Sequence, residues 1–168
     1  ETSVHAFGLR NPWFDVAENG YVAGQFLWPG IDYLGESSYW PNKGWSCGLR
    51  DTAGRLKPGG QFHRSVWSAK PMVAVAVRDH CLGKGEPSWS WGGYSLASHW
   101  NWPEYDVPKK YPEVGGRLVE LEVQTNCETV ELFLNGLSYG EKAAADFVNG
   151  TVLFVVPYQR GVLRAVGR

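Results

Sequence analysis

Charge of one sign is what this sequence most clearly lacks. Lys and Arg number 16 against 17 Asp and Glu, for a net charge of −1. No basic stripe is left to displace counterions from nucleic acid or to hold an anionic bilayer, so neither partner is expected. Long apolar runs are missing too. Nothing approaches the roughly 18 consecutive apolar residues a membrane-spanning helix needs. Cysteine is scarce and odd in number: Cys47, Cys81 and Cys127 stand far apart. The odd count argues against a disulfide framework, the spacing shows no metal-ligand pattern, and the three read as plain thiols. The histidines His5, His63, His80 and His99 show no ligand spacing either. No metal and no cofactor is expected. No signal peptide is legible at the start, which leaves any leader open.

Aromatic residues are abundant instead. There are 9 Trp, 8 Tyr and 7 Phe in 168 residues. A large aromatic core explains them as well as a sugar site does. In a sugar site, a Trp face covers the C–H face of the ring while nearby carboxylates bond its hydroxyls. Composition cannot choose between the two. With 43% hydrophobic and 20% charged residues, the chain has ordinary globular composition rather than that of a disordered segment.

Local pattern divides the chain. Residues 1–20 carry His5, Phe7, Trp13 and Phe14 without a period, broken by Gly8 and Pro12, and read as loop. Tyr21 to Trp28 is a nearly continuous apolar run closed by Pro29-Gly30. Such a run reads as a strand buried on both faces, as in a parallel sheet. Residues 29–56 are irregular and Gly-rich, like a functional loop at a strand's carboxyl end. Pro58 to Trp67 reads as a helix, with Pro58 suited to its first turn and Phe62 and Val66 on one face.

Beyond residue 70 the character turns to β. Met72–Val77 is a β-type run, and Val119, Leu121 and Val123 keep period two. Val130–Leu134 leads into Asn135-Gly136, the strongest short-range hairpin signal, since both central residues of a type I′ turn need positive φ. Thr151–Val156 and Val162–Val166 supply two more strands. Short strands at this spacing suggest an antiparallel sandwich. Trp89 and Trp91, two apart, fit either a small carbohydrate platform or domain packing.

Several stretches carry a resemblance. Val22-Ala23-Gly24-Gln25-Phe26-Leu27-Trp28-Pro29-Gly30-Ile31-Asp32-Tyr33-Leu34-Gly35-Glu36 resembles the last barrel strand of glycoside hydrolase family 2. In its β-galactosidase-like branch that strand reads roughly GxFxWTGxDYLGEP. Pro29 replaces the usual Thr and Ser37 the usual Pro. Gly48-Leu49-Arg50-Asp51-Thr52-Ala53-Gly54 with Lys57 resembles the following GxxDxAGxPK segment. His99-Trp100-Asn101-Trp102, and Thr125-Asn126-Cys127 through Asn135-Gly136, are similar to motifs of the immunoglobulin-like domain appended to these enzymes.

The resemblance implies a mixed fold. Residues 1–70 would be the terminal βα portion of a (β/α)8 barrel, comprising strand 8, an active-site loop and helix 8. Residues 71–168 would be an immunoglobulin-like antiparallel β-sandwich missing its last strand. It implies a retaining hydrolase of β-galactosides or related β-glycosides. Glu1-Thr2-Ser3 is similar to the context of the family nucleophile, which makes Glu1 the catalytic residue. Trp28 would floor the sugar subsite, and Asp32 and Glu36 would bond sugar hydroxyls. Asp51 reads rather as a turn residue. A retaining glycosidase also needs a second carboxyl roughly 5 Å from the nucleophile. The family supplies it from an Asn-Glu pair, and no Asn-Glu occurs in this chain. The chain alone is therefore expected to be inactive. Its expected partners are a carbohydrate substrate, the remainder of a parent chain, and copies of itself at open strand edges. A stand-alone carbohydrate-binding or interaction module without catalysis is the alternative, and a pure spacer is a third.

Overall fold

Where hydrophobic residues alternate, the chain forms antiparallel sheet. The computed structural model describes residues 11–35, 44–45, 48–79, 97–99, 118–147 and 150–168. In chain order the elements are α1 (Trp13–Glu18), β1 (Tyr33–Leu34), β2 (Gly44–Trp45), α2 (Pro58–Trp67), β3 (Val73–Asp79), β4 (Ala97–His99), β5 (Leu118–Thr125), β6 (Thr129–Leu134), β7 (Leu137–Ala143), β8 (Thr151–Pro157) and β9 (Leu163–Gly167). One sheet runs β4-β3-β5-β8, a second β7-β6-β9, and β1 pairs with β2 alone. The paired strands are antiparallel throughout. The protein is thus mostly β.

The two larger sheets share one core. Val119, Leu121 and Val123 of β5 and Val152, Phe154 and Val156 of β8 meet Val130, Leu132 and Leu134 of β6, with Val77 of β3 beside them. Alternate residues of one strand face one side, so these positions point the same way. Burying each such side chain contributes roughly 1.5–3 kcal/mol. Lys142 of β7 joins the two layers at one edge. Its ammonium donates to the Leu153 carbonyl at 2.7 Å and lies 4.7 Å from the centre of the Phe154 ring.

The outer face of β5 is covered as well, because α2 lies against β3 and β5. Glu122 and Gln124 are both buried there, and the Gln124 amide donates to Glu122 Oε1 at 3.1 Å. The polar half of this alternation therefore marks a strip between two layers, not a side facing water.

The Asn135-Gly136 turn forms as its residue types require, with φ of 53° and 81°. Asn135 does more than turn the chain. Its side chain accepts from Val162 N–H at 2.9 Å and donates to the Arg160 carbonyl at 3.0 Å, which fixes the approach to β9. Among the described residues β9 pairs only with β6. The Val-rich β3 lies in the other sheet and does not fill the place beside β9.

The segment between α2 and β3 is stapled to the β5–β6 turn. Asn126 Oδ1 accepts from Met72 N–H at 2.8 Å, and its amide donates to the carbonyls of Ser68 and Lys70, both at 2.9 Å. Thr125 Oγ1 adds a bond to the Met72 carbonyl at 2.8 Å. Here lies the physical content of the Thr-Asn-Cys motif: it holds the helical part on the sheets. Asn126→Ala is expected to lower stability by about 1–3 kcal/mol, since several backbone groups lose their partner at once. Urea unfolding of the two proteins measures it.

Two expectations need correction. Residues 1–20 are not all loop, because Trp13–Glu18 is helical. Asn11 Oδ1 accepts from Trp13 N–H at 2.9 Å and starts the turn. Trp13 then packs edge-on against Trp67, and Phe14 against Phe62. Its 6 residues make fewer than two turns, too few for a period to show. Tyr21–Trp28 is likewise not a buried strand. Residues 22–27 join no sheet, and Tyr21, Phe26 and Trp28 are 87%, 105% and 83% exposed. An apolar run of this kind is a strand only where flanking strands pair with it, and the described residues offer it none.

A surface fork closes the smaller sheet. Arg168 donates to Glu131 Oε2 at 2.8 Å and to Glu141 Oε1 at 3.1 Å. Hydrogen bonds from Arg168, and then from Ser138, hold the Glu131 carboxyl below the usual glutamate range. A carboxyl depressed in the folded state adds stability above its unfolded pKa and loses it as pH falls through the folded one. Glu131→Gln should therefore narrow the drop in melting temperature between neutral and acidic buffer. The change will be small, because the fork is solvated.

Candidate functional site

Asp32, one of the residues singled out by sequence, lies in a knot between residues 30–35 and 48–57. Backbone bonds make its frame. Asp32 N–H donates to the Arg50 carbonyl at 2.9 Å, and Arg50 N–H to the Gly30 carbonyl at 3.1 Å. This is a one-residue parallel bridge between Ile31 and Arg50. Arg50 also bridges Leu56 in antiparallel sense, with Lys57 N–H donating to the Leu49 carbonyl at 2.8 Å.

Asp51 turns the loop between those bridges. Its Oδ1 accepts from Ala53 N–H at 2.9 Å and Arg55 N–H at 2.7 Å. Gly54 takes φ of +79°, a conformation that a side chain would strain. Asp51 is thus the turn residue its sequence context suggested.

Asp32 lies inside the knot. Its Oδ1 accepts from Gly48 N–H at 2.7 Å, and the Lys57 ammonium donates to Oδ1 at 3.0 Å and to Oδ2 at 3.1 Å. The pair is nearly dry, with 6% of the Lys57 side chain and 13% of the Asp32 side chain exposed. Gly48 is pressed so closely on Asp32 that a Cβ there would meet the Asp32 backbone and carboxylate. Gly60 meets the other side of the knot, where a Cβ would lie 2.5 Å from the Leu49 carbonyl oxygen. Lys57 is also the residue from which α2 starts. The knot is therefore fastened to the helix, and the helix to the sheets.

Trp28 stands just outside this knot, before a cis Trp28–Pro29 bond, with its indole in the open and Pro29 buried. Of the expected site residues, the structure brings Trp28 and Asp32 into one locale. Asp32 offers both its carboxylate oxygens to Lys57, not to an open cleft. Glu1 and Glu36 lie outside the described residues, as do Trp89, Trp91, Trp100 and Trp102. His63 packs in α2 with its ring 4.8 Å from that of Trp67 and 5.2 Å from that of Phe62. Sequence reasoning missed the roles of Lys57 and Gly48. Lys57 sits 25 residues from Asp32, and nothing local signals such a pairing.

Residues 116–168 match a family described as a domain of unknown function (DUF4982). A putative β-glucuronidase of Formosa agariphila is 31% identical over 163 residues, which is 94% of this chain and 13% of that protein. The β-galactosidase BoGH2A of Bacteroides ovatus is 27% identical over 156 residues, 91% of this chain and 14% of that protein. A solved glycosyl hydrolase family 2 member from Bacteroides cellulosilyticus superposes with a TM-score of 0.69 at 31% identity, over 93% of this chain and 21% of that one. The chain spans about one seventh of the length of the curated relatives it matches.

Proposed function

We propose, from the premise that this chain is related over nearly its whole length to one stretch of the family 2 glycoside hydrolases, that it supplies half of a retaining β-glycosidase active site. In this reading residues 1–70 close a (β/α)8 barrel, and residues 71–168 form the immunoglobulin-like sandwich that follows it. Glu1 attacks the anomeric carbon. Trp28 lies under the sugar ring, and Glu36 bonds its hydroxyls. The general acid comes from the remainder of a longer chain. The substrate class is a β-galactoside, a β-glucuronide or a related β-glycoside, as the names of the two relatives suggest.

One observation carries the reading. Trp28 is 83% exposed although it adjoins a segment tied down by bridges and a nearly dry ion pair. Tyr21 and Phe26 of the same run are at least as exposed, but only Trp28 adjoins the bonded segment at residues 30–32, and a large aromatic ring anchored at such a segment supports a ligand role. The test uses the longer protein with a panel of aryl β-galactoside, β-glucuronide, β-glucoside and β-mannoside. Proton NMR of the first-formed sugar should show the β-anomer, the outcome of two successive displacements. A first-formed α-anomer, or no hydrolysis of any of the four, would overturn the proposal.

Among the described residues β9 has a strand on one side only, and this adds a further expectation. An unpaired strand edge templates pairing with another strand. The isolated chain should therefore self-associate as its concentration rises. Sedimentation velocity across a concentration series measures this, and a monomer at every concentration contradicts it.

A further inference from the structure

Asp32 and Lys57 present a choice. An acidic residue just past an exposed Trp suggests a hydroxyl ligand. The geometry gives it another task. Both carboxylate oxygens receive the Lys57 ammonium, and Oδ1 also receives Gly48 N–H. A carboxylate committed to three bonds at 13% exposure has little left for a sugar. The backbone around it is bonded too, with Asp32 N–H and the Gly30 carbonyl both held by Arg50. Trp28 leaves this clamp directly, through Gly30 and the buried Pro29. On the other side Lys57 begins α2, which is packed on β3 and β5.

We propose that Asp32 and Lys57 are a single positioning pair, which sets the Trp28 ring at the sugar site by fastening its segment to α2, and that Asp32 does not touch the sugar. This rests on the retaining-glycosidase reading only for its kinetic consequence. The mechanical claim stands on the bonds above. A buried ion pair suits the task because removing one partner strands the other charge, so the pair acts as a unit.

The test compares Asp32→Asn, Lys57→Gln and the double variant in the longer protein, each with Trp28 and with Trp28→Phe. A displacement of about 1 Å at a positioned group costs on the order of 10²-fold in rate. Each single variant should therefore lose about 10²-fold in kcat/KM, and the double should lose no more than either. With Trp28→Phe in place, Asp32→Asn should cost less than about tenfold, because the ring it positions is already changed. The double variant leaves no unpaired buried charge, so it keeps the test open if a single variant folds poorly. A mild Lys57→Gln beside a severe Asp32→Asn would overturn the proposal and make Asp32 a sugar ligand. So would losses that multiply to about 10⁴-fold in the double.

Hydrogen–deuterium exchange on the 168-residue chain separates this claim from the enzymatic one. Amides of residues 30–35 and 48–51 should exchange faster in both single variants. Unchanged exchange contradicts the pair even if the enzyme reading holds. Faster exchange in a protein that hydrolyses no glycoside upholds the pair and removes the enzyme reading.

Discussion

The 168-residue chain, assayed by itself, is expected to hydrolyse aryl β-galactoside and aryl β-glucuronide no faster than buffer does. The expectation follows from what double displacement requires. A nucleophile at Glu1 can form the glycosyl bond only if the leaving group is protonated or already stable as an anion. A positioned general acid contributes about 10²–10⁴-fold. No Asn-Glu pair exists in the sequence to provide the family's acid. Holding substrate in a near-attack geometry contributes about 7–11 kcal/mol more, and that needs walls on every side of the ring. In the proposed site Trp28 would provide one wall, and it is 83% exposed. Substrates with strongly acidic leaving groups relax the need for the acid but not for the walls. They should be as inert as the rest. A turnover near that of the longer protein, abolished by Glu1→Gln, would show that the chain holds a whole site.

The second large effect is on stability. Phe154→Ala is expected to cost about 3–5 kcal/mol. Phe154 is 2% exposed on β8 and belongs to the core shared by both sheets, and the Lys142 ammonium lies 4.7 Å from its ring centre. Removing the ring opens a cavity between the sheets and takes away the cation's aromatic partner. The Lys142 bond to the Leu153 carbonyl loses its packing at the same time. Val155 on the same strand is 58% exposed and faces the other way, so Val155→Ala should cost well under 1.5 kcal/mol. Paired urea denaturation of the two variants separates the sides of one strand. Equal losses would mean that the core does not lie where the alternation puts it.

Much of the β part could be read from the sequence because its signals are local. Val130–Leu134 followed by Asn135-Gly136 names a strand and the turn that ends it, and β6 and β7 flank that turn. Pro58 at the head and Phe62 buried on one face gave α2 its observed span of Pro58–Trp67. Failures occurred where the answer depended on distant residues. The Tyr21–Trp28 run announces burial but not what buries it, and the described residues supply no flanking strand. Trp13–Glu18 takes its shape from Asn11 and from rings on α2. Asp32 was read by its neighbourhood in sequence, as a hydroxyl ligand. Its carboxylate accepts from Lys57, which comes 25 residues later, and no local pattern signals that bond. A carboxylate's partner is a tertiary fact, and a motif supplies the residue without its bond. The expected roles of Glu1 and Glu36 rest on resemblance alone, since both lie outside the described residues.

The central claim is that Glu1 is the nucleophile of a retaining β-glycosidase, and covalent trapping tests it most directly. A 2-fluoro β-glycoside with a good leaving group slows breakdown of the glycosyl-enzyme intermediate, so the sugar stays on the attacking carboxylate. The longer protein that carries this sequence, treated with the 2-fluoro form of whichever sugar it hydrolyses, should gain the mass of one sugar. Peptide mapping should place that mass on Glu1. A label on any other carboxylate, or hydrolysis without a trapped intermediate, would contradict the account.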